Sequence, residues 1–229
     1  MPQQGPLQWL DGEGWLVLLG GGNVACGETD VVDAQLLSLA NLDRPMVVLL
    51  SDGTREEADA ILEHYTLLGG PGGEAFTLAE MTRAELDHPR VLSLLDEAGI
   101  LYLGGENPLP LVRNLHQTTA LARILRGFAT LQALTIVGSV AGASALGKWA
   151  IGPAPQFLQV QGLGLLHNAV IVPHFTRTED SVVLRCLAQL GPGLLGLGIP
   201  HGTALAFGPQ GQVETWGVGQ VTAVVSAEG

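Results

Sequence analysis

The chain has 229 residues, of which 47% are hydrophobic and 14% charged, a composition that excludes a disordered protein and allows one domain with a sizeable core. Its net charge of −12, with only ten basic residues, excludes an electrostatic footprint for nucleic acid or an anionic membrane surface. Two cysteines, Cys26 and Cys186, are too few for a disulfide framework, and the N-terminus lacks signal-peptide character, so we expect a cytoplasmic protein with reduced thiols.

Five continuous apolar runs predict strands that are covered on both faces: residues 15–19, 46–50, 100–103, 134–137 and 169–172. Helical patterns occupy residues 30–40, 54–68, 108–115, 120–125 and 178–190. Segments 204–207 and 213–225 predict antiparallel strands with a turn at 209–211. This order predicts a single α/β domain over residues 1–229, with a mostly parallel sheet flanked by helices on both faces and antiparallel C-terminal strands.

Several of these runs end at residues suited to a binding or catalytic site. Glycine-rich turns follow two runs, at 20–22 and 104–105, and His174 follows another. Because the carboxyl ends of parallel strands meet at one edge of a sheet, we expect these turns to surround a single crevice.

Residues 138–142, Gly-Ser-Val-Ala-Gly, have the glycine spacing of a nucleophile elbow, the sharp strand-to-helix turn that presents one side chain. Gly138 and Gly142 are the two glycines, and Val140 is the presented residue. Valine has neither an ionisable proton nor a lone pair. The segment therefore predicts the geometry of a serine hydrolase without its nucleophile.

Two serines near the bend keep an active hydrolase open as an alternative. Ser139 precedes Val140 by one residue, and Ser144 lies four residues before Lys148, a spacing that would make the lysine its base on a helix. The simpler interpretation is that both are small polar residues that satisfy backbone groups near the turn.

His174 is the candidate general base, because it follows a strand at the same edge. A triad also needs a carboxylate, and no Asp or Glu occurs from residue 107 to 178. Glu179 and Asp180 are better interpreted as first-turn acids of a helix. His201 is a second candidate imidazole, but His167, His174 and His201 lack the spacing of a zinc motif, so no metal is expected.

Three further patterns in the sequence bear on binding, reactivity and membrane insertion. Residues 20–25 fit a relaxed dinucleotide fingerprint, which makes a nucleotide-binding protein using Gly20–Gly22 a second alternative. Cys26 in the same loop has no visible base and is interpreted as a small buried thiol. Residues 127–147 are uncharged and long enough to span a membrane, but their glycines, polar residues and strand–turn–helix order argue against a transmembrane helix.

The turn at Gly104–Gly105 offers backbone amides to the predicted crevice. Together with the amide of Ala141, which follows the elbow tip, the Gly105 amide could stabilise an oxyanion. The alternative is a plain tight turn.

The chain resembles the serine peptidase family of dipeptidase E and cyanophycinase, which shares the fold of class I glutamine amidotransferases. The resemblance rests on matching motifs in the same order along the chain: residues 19–22, 47–52, 102–107, 137–144, 162–166 and 172–175. It covers most of the chain.

The resemblance implies a role for each matching position. Val140 falls on the family's nucleophile, His174 on its histidine, and Gly105 and Ala141 on its oxyanion hole. No residue matches the third, acidic member, and Pro200 and His201 replace the acid usual near the end of the family's sequences.

The same resemblance implies the remaining expectations. Asn107 and Arg177 are the expected substrate-binding residues, without any cofactor. We expect a homodimer that is catalytically silent or severely impaired, and that binds a short acidic or arginine-bearing peptide or serves as a partner subunit.

Overall fold

The structure is a computed structural model that describes residues 6–130, 132–152, 158–176, 191 and 193–225. Seven α-helices lie in this part of the chain: α1 (Asp30–Leu39), α2 (Arg55–Leu67), α3 (Arg83–Leu86), α4 (Pro89–Glu97), α5 (Pro108–Leu115), α6 (Thr119–Ala129) and α7 (Ala141–Leu146). The same ranges contain twelve strands: β1 (Leu16–Leu19), β2 (Met46–Leu50), β3 (Gly73–Thr77), β4 (Ile100–Gly104), β5 (Thr135–Ser139), β6 (Trp149–Ile151), β7 (Gln159–Gln161), β8 (Ala169–Val172), β9 (Leu195–Gly198), β10 (Thr203–Phe207), β11 (Val213–Gly217) and β12 (Thr222–Val225).

The larger sheet has seven strands in the order β11-β10-β1-β5-β4-β2-β3. Five of them are parallel, and β10 and β11 close one edge in antiparallel orientation. The four central parallel strands, β1, β2, β4 and β5, are buried along their whole length, as expected for strands covered on both faces. The predicted fold class is confirmed.

A second sheet of five strands has the order β12-β9-β8-β6-β7. Strands β6, β8 and β9 are parallel, and β7 and β12 pair antiparallel at its two edges. Helix α7 packs against β5, β4 and β6, and thus joins the two sheets. The loop after β8 reaches the carboxyl edge of the larger sheet, where the His174 amide donates to the Gly20 carbonyl.

Two groups of buried apolar side chains form the core, one containing Leu16 and Leu18 of β1 and the other Val17 and Leu19. Successive side chains of a strand point to opposite faces, so these groups lie on the two faces of the larger sheet. Apolar burial on both faces holds the strand ends, and the turns that follow them, in fixed positions.

The candidate transmembrane segment is divided between several elements. It includes the end of α6, the buried strand β5 and the six-residue helix α7. No described helix is long and apolar enough to cross a membrane. The single-domain prediction remains a prediction, and the helix predicted at 178–190 lies outside the described residues.

Candidate functional site

Val140 occupies the sharp bend that the sequence predicts. It follows β5 directly, precedes α7, and has φ +48° and ψ −100°. Positive φ is an outlier for a β-branched residue, because its branched side chain crowds the backbone. Backbone hydrogen bonds hold it there: the Val140 amide donates to Leu19, and the Ser144 amide donates to Val140. The elbow conformation is therefore present with a hydrocarbon at its tip.

His174 lies beside that tip. A Cβ added to Gly21 would lie 2.5 Å from His174 Cε1 and 3.0 Å from Val140 Cγ2, so both side chains flank the same glycine. His174 itself has φ +52°. Strained backbone of this kind clusters at functional sites, where the surrounding fold must maintain it.

The orienting partner of His174 is a second imidazole. His174 Nδ1 lies 2.6 Å from His201 Nε2, and the ring centroids are 4.3 Å apart. In the part of the chain that the structure describes, a carboxylate contacts the other nitrogen, where His174 Nε2 lies 4.0 Å from Glu106 Oε2. His201 was predicted as a second candidate imidazole, but its pairing with His174 was not predicted, because the two loops are 27 residues apart in the sequence.

This environment favours a neutral His174. Burial lowers the pKa of His174, the adjacent His201 lowers it further, and Glu106 opposes both effects in part. Two imidazoles whose nitrogens share one hydrogen bond repel each other when both are protonated. His174 is therefore suited to accept a proton, although Val140 supplies none.

We expect acid to destabilise the fold through His174. The unfolded chain, with an ordinary imidazole pKa of about 6.5, binds more protons than the folded chain between the two pKa values. The contribution of His174 to the free energy of unfolding is present above about pH 6.5. It is lost as the pH falls through the pKa that His174 has in the folded chain. In urea unfolding from pH 8 to pH 5, His174→Gln should lose less stability than the unaltered chain. His167→Gln, at an exposed position, should behave like the unaltered chain. If the free energy of unfolding changed equally with pH in all three proteins, His174 would not be the group responsible.

The predicted oxyanion hole is closed in this structure. The Ala141 amide donates to the Gly105 carbonyl at 3.1 Å, so it is not free for an oxyanion. The cause lies in the peptide bond between Gly105 and Glu106. On its amide side, the Glu106 N–H donates to Asp52 Oδ1 at 2.8 Å. In a trans peptide the carbonyl and the next amide point in opposite directions, so Asp52 turns the Gly105 carbonyl towards Ala141. Gly105 and Ala141 do meet, but not as paired donors.

Among the described residues, the hydrogen bonds of the two alternative serines include none to an activating base. Ser144 is buried on α7, and its Oγ lies 3.5 Å from the Ile151 amide as acceptor. Lys148 is exposed beyond the end of α7, so the helical spacing assumed for a Ser–Lys pair is wrong. Ser139 does line the crevice, where it is hydrogen-bonded to Tyr102. Burial raises the pKa of Tyr102 to about 12, so its phenol stays protonated and is no base at neutral pH.

Asn107 has a structural role at the start of α5, and its predicted contact with substrate stays a prediction. Its side chain caps α5 by accepting the Leu109 amide, and it does not line the crevice. Arg177, the other predicted substrate-binding residue, lies outside the described residues, as do Glu179 and Asp180.

The loop at 20–22 lacks the geometry of a dinucleotide site. A 3-10 turn (Val24–Cys26) separates it from α1, and α1 carries Asp30 and Asp33 in its first turn, where a phosphate would be repelled. Cys26 is exposed, which corrects the prediction of a buried thiol. His167 is likewise exposed and forms no three-ligand cluster with His174 and His201 among the described residues.

A cleft of about 1030 Å³ opens over the elbow, lined by Val140, Ser139, His174 and His201. Eight ionisable groups other than tyrosine line it, and of these described residues five are acidic, three are histidines and none is Lys or Arg: Glu28, Asp52, Glu57, Glu63, Glu106, His64, His174 and His201. No functional role was predicted for Glu57, which lies in the first turn of α2 and completes a capping box with Thr54. Because this turn follows β2 closely, at the carboxyl edge of the sheet, its position in the sequence could have indicated that Glu57 lines the cleft.

An elbow at the carboxyl edge of a parallel sheet, with a histidine beside its tip, defines the structural class of α/β proteins that present one side chain from a strand-to-helix bend. Within that class the chain belongs to peptidase family S51, whose family model matches residues 16–213. The predicted family is confirmed.

Two curated relatives are cyanophycinases, one from Trichormus variabilis and one from a Nostoc species. Each is 25% identical over 198 residues, which cover 82% of this chain and 66% of the relative. This chain therefore spans just under two thirds of the length of the curated relatives it matches.

Two solved structures share the fold. A peptidase from an acI-B1 actinobacterium superposes with a TM-score of 0.66 at 18% identity, covering 96% of this chain and 97% of its own. A Listeria monocytogenes protein assigned as a peptidase E gives a TM-score of 0.62 at 18% identity, covering 90% and 99%. At this identity the likeness shows the fold alone.

Proposed function

We propose that this chain is a family S51 protein that has lost serine-type hydrolysis and binds a short cationic peptide over its elbow. The single observation that carries the proposal is Val140 at the elbow tip beside His174. Because an aliphatic side chain cannot attack a carbonyl, the step that begins serine-type peptide cleavage has no reagent. The occupied Ala141 amide supports the same conclusion, since an oxyanion would lack that donor.

The charge of the cleft supports a cationic ligand. Five carboxylates around a concave surface of low dielectric focus a negative potential, which attracts ammonium and guanidinium groups and repels acidic peptides. Of the two peptide classes that the resemblance implied, the arginine-bearing class therefore fits this cleft better. A homodimer and a cytoplasmic location belong to the same proposal and rest on the resemblance and the composition.

Calorimetric titration tests the ligand class. We expect a blocked Arg-Arg dipeptide to bind and a blocked Asp-Asp dipeptide not to bind. Glu63→Gln and Glu106→Gln should each weaken binding about two- to fivefold, as expected for losing one partly exposed ion pair. Glu80→Gln removes an exposed carboxylate outside the cleft and should leave the affinity unchanged. Preference for the acidic dipeptide, or equal losses in all three variants, would rule out recognition by the cleft carboxylates.

Activity assays test the loss of hydrolysis separately. We expect the unaltered chain to resist labelling by a fluorophosphonate and to leave Asp-X and arginine-containing dipeptides intact. Labelling that disappears in Ser139→Ala or Ser144→Ala would identify a working nucleophile and replace the proposal by the active-hydrolase alternative.

A further inference from the structure

Three side chains with metal-binding atoms converge between α1 and α2, and α2 forms one wall of the cleft. Asp30, Asp33 and His64 each offer one such atom, and these atoms lie within 4.8 Å of one another. His64 Nε2 is 2.9 Å from Asp33 Oδ2 and 4.0 Å from Asp30 Oδ1. His64 lines the cleft, whereas Asp33 is buried behind it. None of the three belongs to the elbow.

The buried carboxylate is held rigidly by neutral hydroxyl groups. Thr29 Oγ1 donates to one oxygen of Asp33 at 2.6 Å, and the Tyr65 hydroxyl donates to the other at 2.5 Å. Outer hydrogen bonds of this kind are what orient the ligands of a metal ion. They bring no positive charge to Asp33, which is only 2% exposed.

We propose that Asp30, Asp33 and His64 bind a zinc-class divalent cation at the cleft wall. Ligands bonded at about 2.0–2.2 Å to one tetrahedral ion lie about 3.3–3.6 Å apart. His64 Nε2 and Asp33 Oδ2, which are 2.9 Å apart, therefore need only a small separation to admit the ion. Two carboxylates balance the charge of a divalent ion. The imidazole selects zinc and related transition metals over magnesium or calcium, which prefer oxygen ligands.

The proposed site has an open position. Three protein ligands leave the fourth position of a tetrahedral ion for water or a bound peptide, and His64 places it at the cleft. Asp30 is 53% exposed on its side chain and can adjust its distance to the ion. The proposal does not depend on whether the elbow is silent. The competing explanation is that His64 is only hydrogen-bonded to Asp33, with no metal ion between them.

Calorimetric titration of the metal-stripped full chain separates the two explanations. Cys26→Ser serves as the background, because the exposed thiol of Cys26 is itself a zinc ligand. We expect one equivalent of ZnCl₂ to bind and to raise the melting temperature, with MgCl₂ much weaker. Asp30→Asn and His64→Gln should each weaken zinc binding at least about tenfold. Glu63→Gln, which removes a neighbouring exposed charge that is not one of the ligands, should retain it.

Several outcomes would overturn the proposal. Absence of zinc binding would support the explanation in which His64 and Asp33 contact each other without a metal ion. Binding that persists at full strength in both Asp30→Asn and His64→Gln would place the ion elsewhere. Binding that is lost in His201→Gln but retained in His64→Gln would assign it to the pair of His174 and His201. Asp30→Asn alters an exposed side chain, so it provides the decisive comparison even where His64→Gln fails to fold.

Discussion

Replacing Val140 with serine is expected to turn an unreactive protein into one that a fluorophosphonate labels covalently. The new Oγ would stand at the bend beside His174, whose lowered pKa leaves the imidazole neutral and able to take the hydroxyl proton. The oxygen then forms a bond to phosphorus as fluoride leaves, and the proton passes to the imidazole. Intact-mass spectrometry would show one added phosphonyl group on Val140→Ser and none on the unaltered chain.

Peptide turnover should recover far less than labelling. Loss of the nucleophile costs a triad hydrolase about six orders of magnitude in kcat, so Val140→Ser removes the largest deficit. The occupied Ala141 amide still withholds an oxyanion donor, a defect of about 10²–10³ in rate. His201 replaces the orienting carboxylate, and disabling that carboxylate in a triad costs about 10⁴. We therefore expect measurable labelling with little catalytic turnover.

Two matched variants control this experiment. Val140→Ala keeps the hydrocarbon character and should stay unlabelled. His174→Gln added to Val140→Ser should abolish the labelling, because the base is gone. A folded Val140→Ser protein that remains unlabelled, or an unaltered chain that labels equally well, would show that Val140 is not the residue presented to a ligand.

The second large effect is expected from one methyl group at Gly142. A Cβ at this position would lie 1.9 Å from the Leu103 carbonyl oxygen. Leu103 belongs to β4, a strand fixed between β2 and β5, so neither backbone can yield. Gly142→Ala should lower the free energy of unfolding by about 3 kcal/mol, the upper part of the range for overpacking. Urea unfolding would measure the loss.

Gly72→Ala is the matched control for that substitution. Gly72 is exposed, no other group lies within 4 Å of an added Cβ, and its φ is not in the positive range. The free energy of unfolding of the Gly72→Ala protein should stay the same or rise by about 0.4–1 kcal/mol, because alanine makes the unfolded chain less flexible. Gly142→Ala should also weaken the labelling of Val140→Ser, since α7 must shift and carry the elbow with it. Equal midpoints for both glycine variants would contradict the close contact of α7 with β4.

The four central strands of the larger sheet were predictable because burial on both faces requires continuous apolar runs. The predicted strands at 46–50 and 169–172 agree with β2 and β8 in full. Strand β3, with the sequence Gly-Glu-Ala-Phe-Thr, was missed because it is an edge strand and only partly buried. Strand β9, Leu-Gly-Leu-Gly, was missed because its glycines weaken the strand pattern, although tertiary packing buries it.

In the candidate site too, local features were predictable from the sequence, whereas contacts between distant segments were not. Local spacing was enough to predict the elbow, because the Gly-x-x-x-Gly pattern around Val140 reflects close contacts within one turn and its neighbouring strand. The pairing of His174 with His201 was not predictable, because it joins loops from distant parts of the chain. The closed oxyanion hole likewise depends on Asp52, which reaches Glu106 from a position 54 residues earlier.

The amino-acid sequence by itself was enough to predict the α/β class, the four central strands of the larger sheet and the inert side chain at the bend. These follow from periodicity and residue type, which act over a few neighbouring positions, whereas the family was predicted from the resemblance of its motifs. Only the tertiary structure decided which polar groups meet: two imidazoles in place of an acid, a carbonyl in the oxyanion position, and Asp33 with His64 at the cleft. Hydrogen bonds and ion pairs require contact within about 3–4 Å, and such contacts between distant segments arise only when the chain has folded.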